Sequence, residues 1–445
     1  MNLKTNNELK ILINKKSFTM HHLIPIILYA FLPAVFILAA YSFVAAQRPT
    51  ATPTTPKPAE TGSTTQTDDE KKKEGWSYDP DASFVYRKGD FKATIAGYAE
   101  GLTDPGKGGN GFRRVRQSVA MEFPRFTKKY RTAFVYEVDF TDSNFFRNRP
   151  RFKIFENLFV AVQDAEDAGK FRALIGENTH ILAREDNLSS GNLPTINRYL
   201  ILEEHGSVNS FGTQFGIQVQ KTLSPKVTLA VSAQDNRGSL NVPVSRYVIG
   251  NSLAAKFIVL GINDEKNSRK LTYGFGVDHT RDIRNRSFTL SSSIAGQPLG
   301  GTEATGNKLS FEGDATYTAK IGSHPYTLET EGLFSNFSRS NTNVGGAYFQ
   351  GQVSVFDTEK YGDLDPFIRY DFVHLSRNSI NGSAFQQAFR AGVNYNLPYT
   401  RRLANFHVEY VRNSVRGPVA IVPLNRSFNE LRFEFRFSVT RYTRH

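Results

Sequence analysis

In the stretch LRFEFRFSV, residues 431–439, Leu431, Phe433, Phe435, Phe437 and Val439 alternate with Arg432, Glu434, Arg436 and Ser438. A period of two marks an extended strand, whose successive side chains leave on opposite faces. The pattern returns repeatedly from Phe91 onward. Over 210–221, Phe211, Phe215, Ile217 and Val219 oppose Gly212, Gln214, Gly216, Gln218 and Gln220. Over 384–397, Phe385, Phe389, Val393 and Tyr395 oppose Gln386, Arg390, Asn394 and Asn396. The segments 131–140 and 308–319 behave alike, with Phe134, Tyr136 and Val138 set against Glu137 and Asp139, and Phe311 and Tyr317 against Glu312 and Asp314. Several runs reach about ten residues, enough to cross a bilayer at a tilt, whereas strands of globular proteins average about half that.

The connections alternate as well. Short links stand at 124–130, 164–169, 223–225, 263–268, 321–325, 359–364 and 398–402. Longer loops stand near 101–111, 142–155, 178–209, 235–251, 280–307, 337–345, 376–383 and 413–429, and the strand-like SFTLSSS (287–293) is assigned to the fifth of them. Seven short links and eight long ones separate sixteen strands. Short turns at one rim and long loops at the other are the mark of an outer-membrane barrel. The expected fold is therefore all-β: a transmembrane antiparallel β-barrel of about 16 strands, with long extracellular loops, short periplasmic turns and both ends on the periplasmic side. Phe433, Phe435 and Phe437 should face lipid, and Arg432, Glu434 and Arg436 a wet lumen. On that reading an arginine at 435 blocks assembly, while a serine at 436 leaves the fold almost intact.

Composition modifies this picture little. Hydrophobic residues make up 39% and mean hydropathy is −0.39, values that a barrel with a polar inner face also shows. The absence of cysteine suits an exported chain without disulfides. A formal charge of +13 is compatible with nucleic acid, an anionic membrane surface or anionic solutes. The positive charge is spread through alternating strands instead of forming one basic face, which argues against nucleic acid. No Walker-type loop and no zinc-like histidine spacing appear, so no cofactor and no metal are expected. The Gly-rich DPGKGGNG (104–111) has no helix after it and reads as a surface loop.

The N-terminus supplies an address. Lys4, Lys10, Lys15 and Lys16 precede an uncharged run over 23–46 that ends Val44-Ala45-Ala46 before Gln47. Small residues at −3 and −1 fit a signal peptide, 1–46, cut after Ala46. A permanent membrane helix over the same run, or a start at Met20, are the competing readings. Residues 47–82, Pro/Thr-rich and then charged, read as a disordered periplasmic linker, which leaves 83–445 as the barrel domain. The implied location is the outer membrane of a Gram-negative bacterium, with outer-membrane lipid as one partner.

The stretch GFRRVRQSVAMEF…KKYRTAFVYEVDF (111–140), followed by ENLFVAVQDAEDAGKFRALIGENTHILAREDNLSS (156–190), resembles the phosphate-selective porin O and P family. A paired-arginine strand, a hairpin and a strand ending in a Gly-polar motif before a long third loop carry the likeness, over roughly 83–440. It implies a porin passing small hydrophilic solutes, with a mild preference for anions or phosphate, an inward-folded third loop and a homotrimer. Two features depart from the family. The third loop holds Arg184 and Arg198 but no lysine, and four acids including Glu185 and Asp186; and the chain runs eight residues past Phe437. Arg184, Glu185, Asp186 and Arg198 are the constriction-loop candidates.

Strand parity directs Arg114, Arg116, Arg369, Arg390, Arg432 and Arg436 inward. Closure of the ring should bring Arg114 and Arg116 near Arg432 and Arg436 as a basic wall, while Glu312, Asp314, Glu329 and Glu331 form an acidic patch elsewhere. Such a pair of patches either sets up a transverse field that filters ions or is simply a set of solvated, mutually paired charges. The second class of function is a barrel-wall hydrolase of lipid or peptide, which requires a serine beside inward-facing His407; an adhesin-like barrel is a third. No catalytic cluster is legible, and the chain is expected not to be an enzyme.

Overall fold

In a computed structural model the chain is described over residues 74–79, 83–104, 109–140, 154–185, 188, 193–195, 198, 200, 202, 212–235, 250–289, 298–358, 361–377, 383–398, 403–417 and 426–438. The expected signal peptide and most of the expected linker lie outside these residues. Nineteen strands run through them: β1 (Gly75–Asp79), β2 (Ser83–Lys88), β3 (Phe91–Asp104), β4 (Gly109–Arg125), β5 (Tyr130–Asp139), β6 (Ile154–Asp164), β7 (Phe171–Thr179), β8 (Thr213–Ser224), β9 (Val227–Asp235), β10 (Ser252–Asp264), β11 (Arg269–Thr289), β12 (Pro298–Ile321), β13 (His324–Phe337), β14 (Thr342–Val353), β15 (Phe356–Thr358), β16 (Gly362–Arg377), β17 (Ser383–Asn396), β18 (Ala404–Arg416) and β19 (Arg426–Ser438).

Each strand from β3 to β14 pairs antiparallel with the next, β14 passes directly to β16, and β16 to β19 continue the series. The ring closes where β19 pairs with β3, from Phe433↔Thr103 to Ser438↔Tyr98. Sixteen strands thus make a closed wall with no free edge along that seam. Short β15 only prolongs the pairing of β16. The β1–β2 hairpin pairs with the lower edge of β3, from Phe84↔Ile95 to Lys88↔Phe91, and takes over the column that β19 vacates after Ser438.

Partners in register share a face, so parity carries around the wall. The outer face holds large apolar side chains, among them Phe275, Phe349, Ile368, Phe435 and Phe437, of which Ile368 is 60% and Phe435 45% exposed. An apolar belt this continuous is not left to water; it is the outer face of a membrane-spanning wall. Ring pairs Tyr130–Phe171, Tyr317–Tyr326 and Trp76–Tyr86 stand near the short-turn rim, at 5.5, 6.1 and 5.4 Å between centroids, as an interfacial aromatic girdle would.

Three expectations about boundaries change. Residues 280–307 are mostly strand: β11 and β12 run 21 and 24 residues and stay paired out to Thr289↔Pro298, so the first three residues of SFTLSSS belong to β11. Above the bilayer no lipid demands one apolar face, so pairing continues without the alternation that would announce it. Between β13 and β14 only residues 338–341 intervene, so the expected long loop at 337–345 is a tight connection. Among the described residues the first strand starts at Gly75, inside the segment read as linker, where Trp76 and Tyr78 face Tyr86 and Phe84 across a local hairpin.

At Gly176 on β7 the backbone takes φ +141°, and a Cβ there would stand 2.2 Å from the carbonyl oxygen of Leu158. Only glycine allows β6 and β7 so close an approach.

Candidate functional site

The third long loop leaves β7 at Thr179 and turns into the bore of the barrel. Its first residue, His180, is fully buried beside Asp278 of β11, with Nε2 3.3 Å from Oδ1. Ser252 of β10 donates to the same Asp278 oxygen at 2.7 Å, and Lys308 of β12 pairs with the other at 2.8 Å. Ser252, His180 and Asp278 are sealed at zero exposure. The serine hydroxyl also lies 3.4 Å from His180 Nε2, and the trio anchors the base of the loop.

Farther along, the loop is held by charges on the wall. Lys256 of β10 donates to the Leu182 carbonyl at 2.7 Å while pairing with Glu312 and Asp314 of β12 at 2.9 and 2.7 Å. Glu331 of β13 accepts the backbone N–H of Arg184 at 2.9 Å and of Glu185 at 3.0 Å, one on each oxygen. The Arg184 guanidinium reaches Glu329 at 2.6 Å and the Tyr348 hydroxyl at 3.3 Å. The expected acidic patch thus lies against the loop: Glu329 and Glu331 bond it directly, and Glu312 and Asp314 hold the Lys256 ammonium that does. Charge-assisted hydrogen bonds of this kind are about twice as strong as neutral ones.

The arginines act from the strands that follow, with Gln350 of β14 bonded to both Glu329 and Arg369. Arg369 of β16 meets both carboxylate oxygens of Glu185, at 2.6 and 3.3 Å, pairs with Asp371 at 3.1 Å, and lies over the Tyr348 ring at 4.1 Å. Arg390 of β17 shares Asp371 at 3.0 Å and donates to the Arg198 carbonyl at 3.3 Å. Glu409 of β18 stands between Arg390 and Arg432, at 3.8 and 4.0 Å, and Arg432 also pairs with Glu430. Arg436 pairs with Glu434 at 2.6 Å and donates to the carbonyls of Leu193 and Thr195 at 2.8 and 3.4 Å. Asn394 adds a bond to the Pro194 carbonyl at 3.0 Å. A chain of alternating charge, Glu185–Arg369–Asp371–Arg390–Glu409–Arg432–Glu430, thus crosses β16 to β19.

Arg114 and Arg116 do not join it. Register places Glu100 of β3 between Arg436 and Arg114. Arg116 turns toward β5 and β6, pairing with Glu137 at 2.9 Å, Asp139 at 3.7 Å and Glu156. The six arginines face inward, as parity requires, but carboxylates intervene and no single basic wall forms. Nor is the bore uniformly wet. Leu182, Leu200 and Leu202 of the loop pack with Leu333, Phe337, Val344, Val373 and Val411 of the inner wall in one apolar cluster. Arg432, Glu434 and Arg436, expected in open water, are all at most 4% exposed.

The other candidates are placed as follows. Arg198 donates to the carbonyls of Glu185 and Leu188, both at 3.3 Å, and so folds the loop on itself. Asp186 lies outside the described residues. His407 faces inward, its ring 5.4 Å from that of Phe367, and its register partners are Asn394 and Glu434, not serine. Lys256, Asp371 and Glu409, which hold the network together, were not singled out from the sequence. Each sits on the inward parity of its strand, and that was the available signal.

A closed sixteen-stranded antiparallel wall, apolar outside and charged inside, with an aromatic girdle and one loop folded through its bore, defines a transmembrane β-barrel of the outer membrane of Gram-negative bacteria. Solved structures of that class share the fold. OmpT, an outer membrane protein of Vibrio cholerae, superposes with a TM-score of 0.51 at 10% identity, over 80% of this chain and 99% of its own. Its trimer form gives 0.50 at 11%, over 78% and 98%. Salmonella typhi OmpF in complex with daunomycin gives 0.50 at 11%, over 80% and 99%. No protein-family profile and no curated protein matches the sequence.

Proposed function

We propose that the protein is a porin: a passive channel for small hydrophilic solutes, without enzymatic activity. The observation that carries this reading is the third loop, held in the bore by wall carboxylates of β13, by Lys256 of β10 and by arginines of β16, β17 and β19. A loop fixed in this way narrows a lumen without a hinge or a reactive group, which is what a size filter requires. Selectivity is weak, with a mild anion preference favoured by the net positive charge and limited by the pairing of nearly every inward arginine with a carboxylate. A phosphate-dedicated path receives no support from a constriction loop that carries both signs of charge and bonds them to the wall. Homotrimers are the assembly proposed, by analogy with the trimer form of Vibrio cholerae OmpT.

Planar-bilayer recording with the purified barrel tests the reading. Stepwise conductance, with a reversal potential in a KCl gradient slightly displaced toward chloride, is the expected result. Folded protein that opens no channels would refute the porin assignment.

A further inference from the structure

Most inward-facing cations described above have a carboxylate partner. Arg172, the second residue of β7, is different. It is half-buried, faces the lumen near the short-turn mouth, and makes no hydrogen bond or ion pair among the described residues. Register sets it between Gln163 of β6 and Gln220 of β8. The same row continues from Gln163 to Arg131 of β5, whose charge is met by Glu122 and by the Ala165 carbonyl. Side chains opposite one another on neighbouring strands stand about 5 Å apart. Gln163 and Gln220 likewise make no side-chain bond among the described residues.

One pleat farther into the barrel, Leu174 and Ala161 belong to a buried apolar cluster with Ala133 and Phe159. Among the described residues the row is thus one uncompensated guanidinium between two unengaged amides, beside a buried apolar cluster.

We infer that Gln163, Arg172 and Gln220 form a binding site for small monocarboxylates that carry hydroxyl or amide groups next to the carboxylate. A planar guanidinium presents parallel N–H donors that match a carboxylate in two bonds. Each flanking amide offers both a donor and an acceptor, which suits a neighbouring hydroxyl or amide of the solute. A single positive charge balances a monoanion and not a dianion. The adjoining buried apolar cluster lowers the local dielectric, which strengthens the charge contact. The site lies toward the short-turn mouth, below the base of the loop, whose Ile181 packs in a cluster with Ala230 opposite Gln220. It deepens the porin reading by naming a solute class: weak capture there raises the local concentration of such solutes without halting their exit.

Two measurements on the full barrel separate the site from the pore. The first is calorimetric titration of the detergent-solubilised protein with gluconate, and separately with inorganic phosphate. Gluconate should bind more tightly than phosphate, and Arg172→Gln should weaken gluconate roughly tenfold, the usual worth of a charged hydrogen-bonded contact. Lys170→Gln, at the exposed turn two residues away, should leave it unchanged. The second is conductance in gluconate added to the short-turn side, which should saturate with concentration for the wild type and stay linear for Arg172→Gln. Binding that survives Arg172→Gln, falls equally with Lys170→Gln, or favours phosphate overturns the site while leaving the porin reading intact. Gluconate binding lost only in Arg172→Gln, in a protein that opens no channels, would uphold the site and sink the porin reading.

Discussion

Two stretches of the same inner wall, β12–β19 and β4–β8, are built to different rules. The first carries ion pairs and apolar side chains that close around the third loop, so its charges are consumed by structure. The second has its own ion pairs at Arg116 and Arg131, but also Ala120, Ala133, Ala161 and Leu174 beside Gln163, Arg172 and Gln220, which make no side-chain bond among the described residues. On the outside both stretches look alike. Lipid imposes a common outer pattern, whereas the inner face is set by what each strand meets in the bore. Alternation alone therefore predicts which way a side chain points and not whether it is free to act.

The sharpest way to break the contrast is Arg369→Ala. It takes the cation from buried Glu185 and one of two cations from Asp371, and removing one member of such a pair costs about 3–5 kcal/mol. Urea unfolding should show a loss of that order, whereas Arg172→Gln on the open stretch should stay within about 0.5 kcal/mol. Comparable losses for the two would erase the distinction. Phe435→Arg tests the shared outer face, where a cation near the bilayer midplane costs about 2–4 kcal/mol; the folded band on an unheated gel should be depleted.

Arg436→Ser was expected from the sequence to be nearly silent. With Glu434 and two loop carbonyls depending on Arg436, the expected loss is instead about 2 kcal/mol, and unchanged stability would show that the loop is not held there. Arg116→Gln should have the smallest effect. Three carboxylates already offset that charge, so the reversal potential in a KCl gradient should move only slightly toward cation preference. A shift larger than that from Arg172→Gln would contradict the ranking of the two arginines.

The strands were legible because period-two alternation against lipid is enforced at every turn of the wall: all sixteen, the outward Phe433, Phe435 and Phe437, and the inward direction of the arginines follow from it. The partners were not. Arg436 bonds carbonyls of residues about 240 positions away, and a backbone carbonyl leaves no mark in a side-chain pattern. The acidic patch was readable as a group because its four members sit on two adjacent strands, Asp314 directly opposite Glu331. Its role as a grip on the loop was not, since Glu331 is bonded by two backbone N–H groups and the side-chain donors, Arg184 and Lys256, lie far off in sequence. Arg172 escaped notice because it stands alone in FRALIG, without a motif. Only the register of β6, β7 and β8 reveals its isolation.

The seam at β3 carries a consequence for how the chain becomes a barrel. Closing it joins residues 341 apart in sequence, as in the contact of Ser438 with the Gly97 carbonyl, and contacts of such separation form late and slowly. Until then β3 would offer a bare edge to any other chain. The β1–β2 hairpin needs only neighbouring residues to fold onto that strand. It therefore works as a built-in escort, masking the lower half of the edge from the earliest moments and leaving only the upper half for β19 to claim.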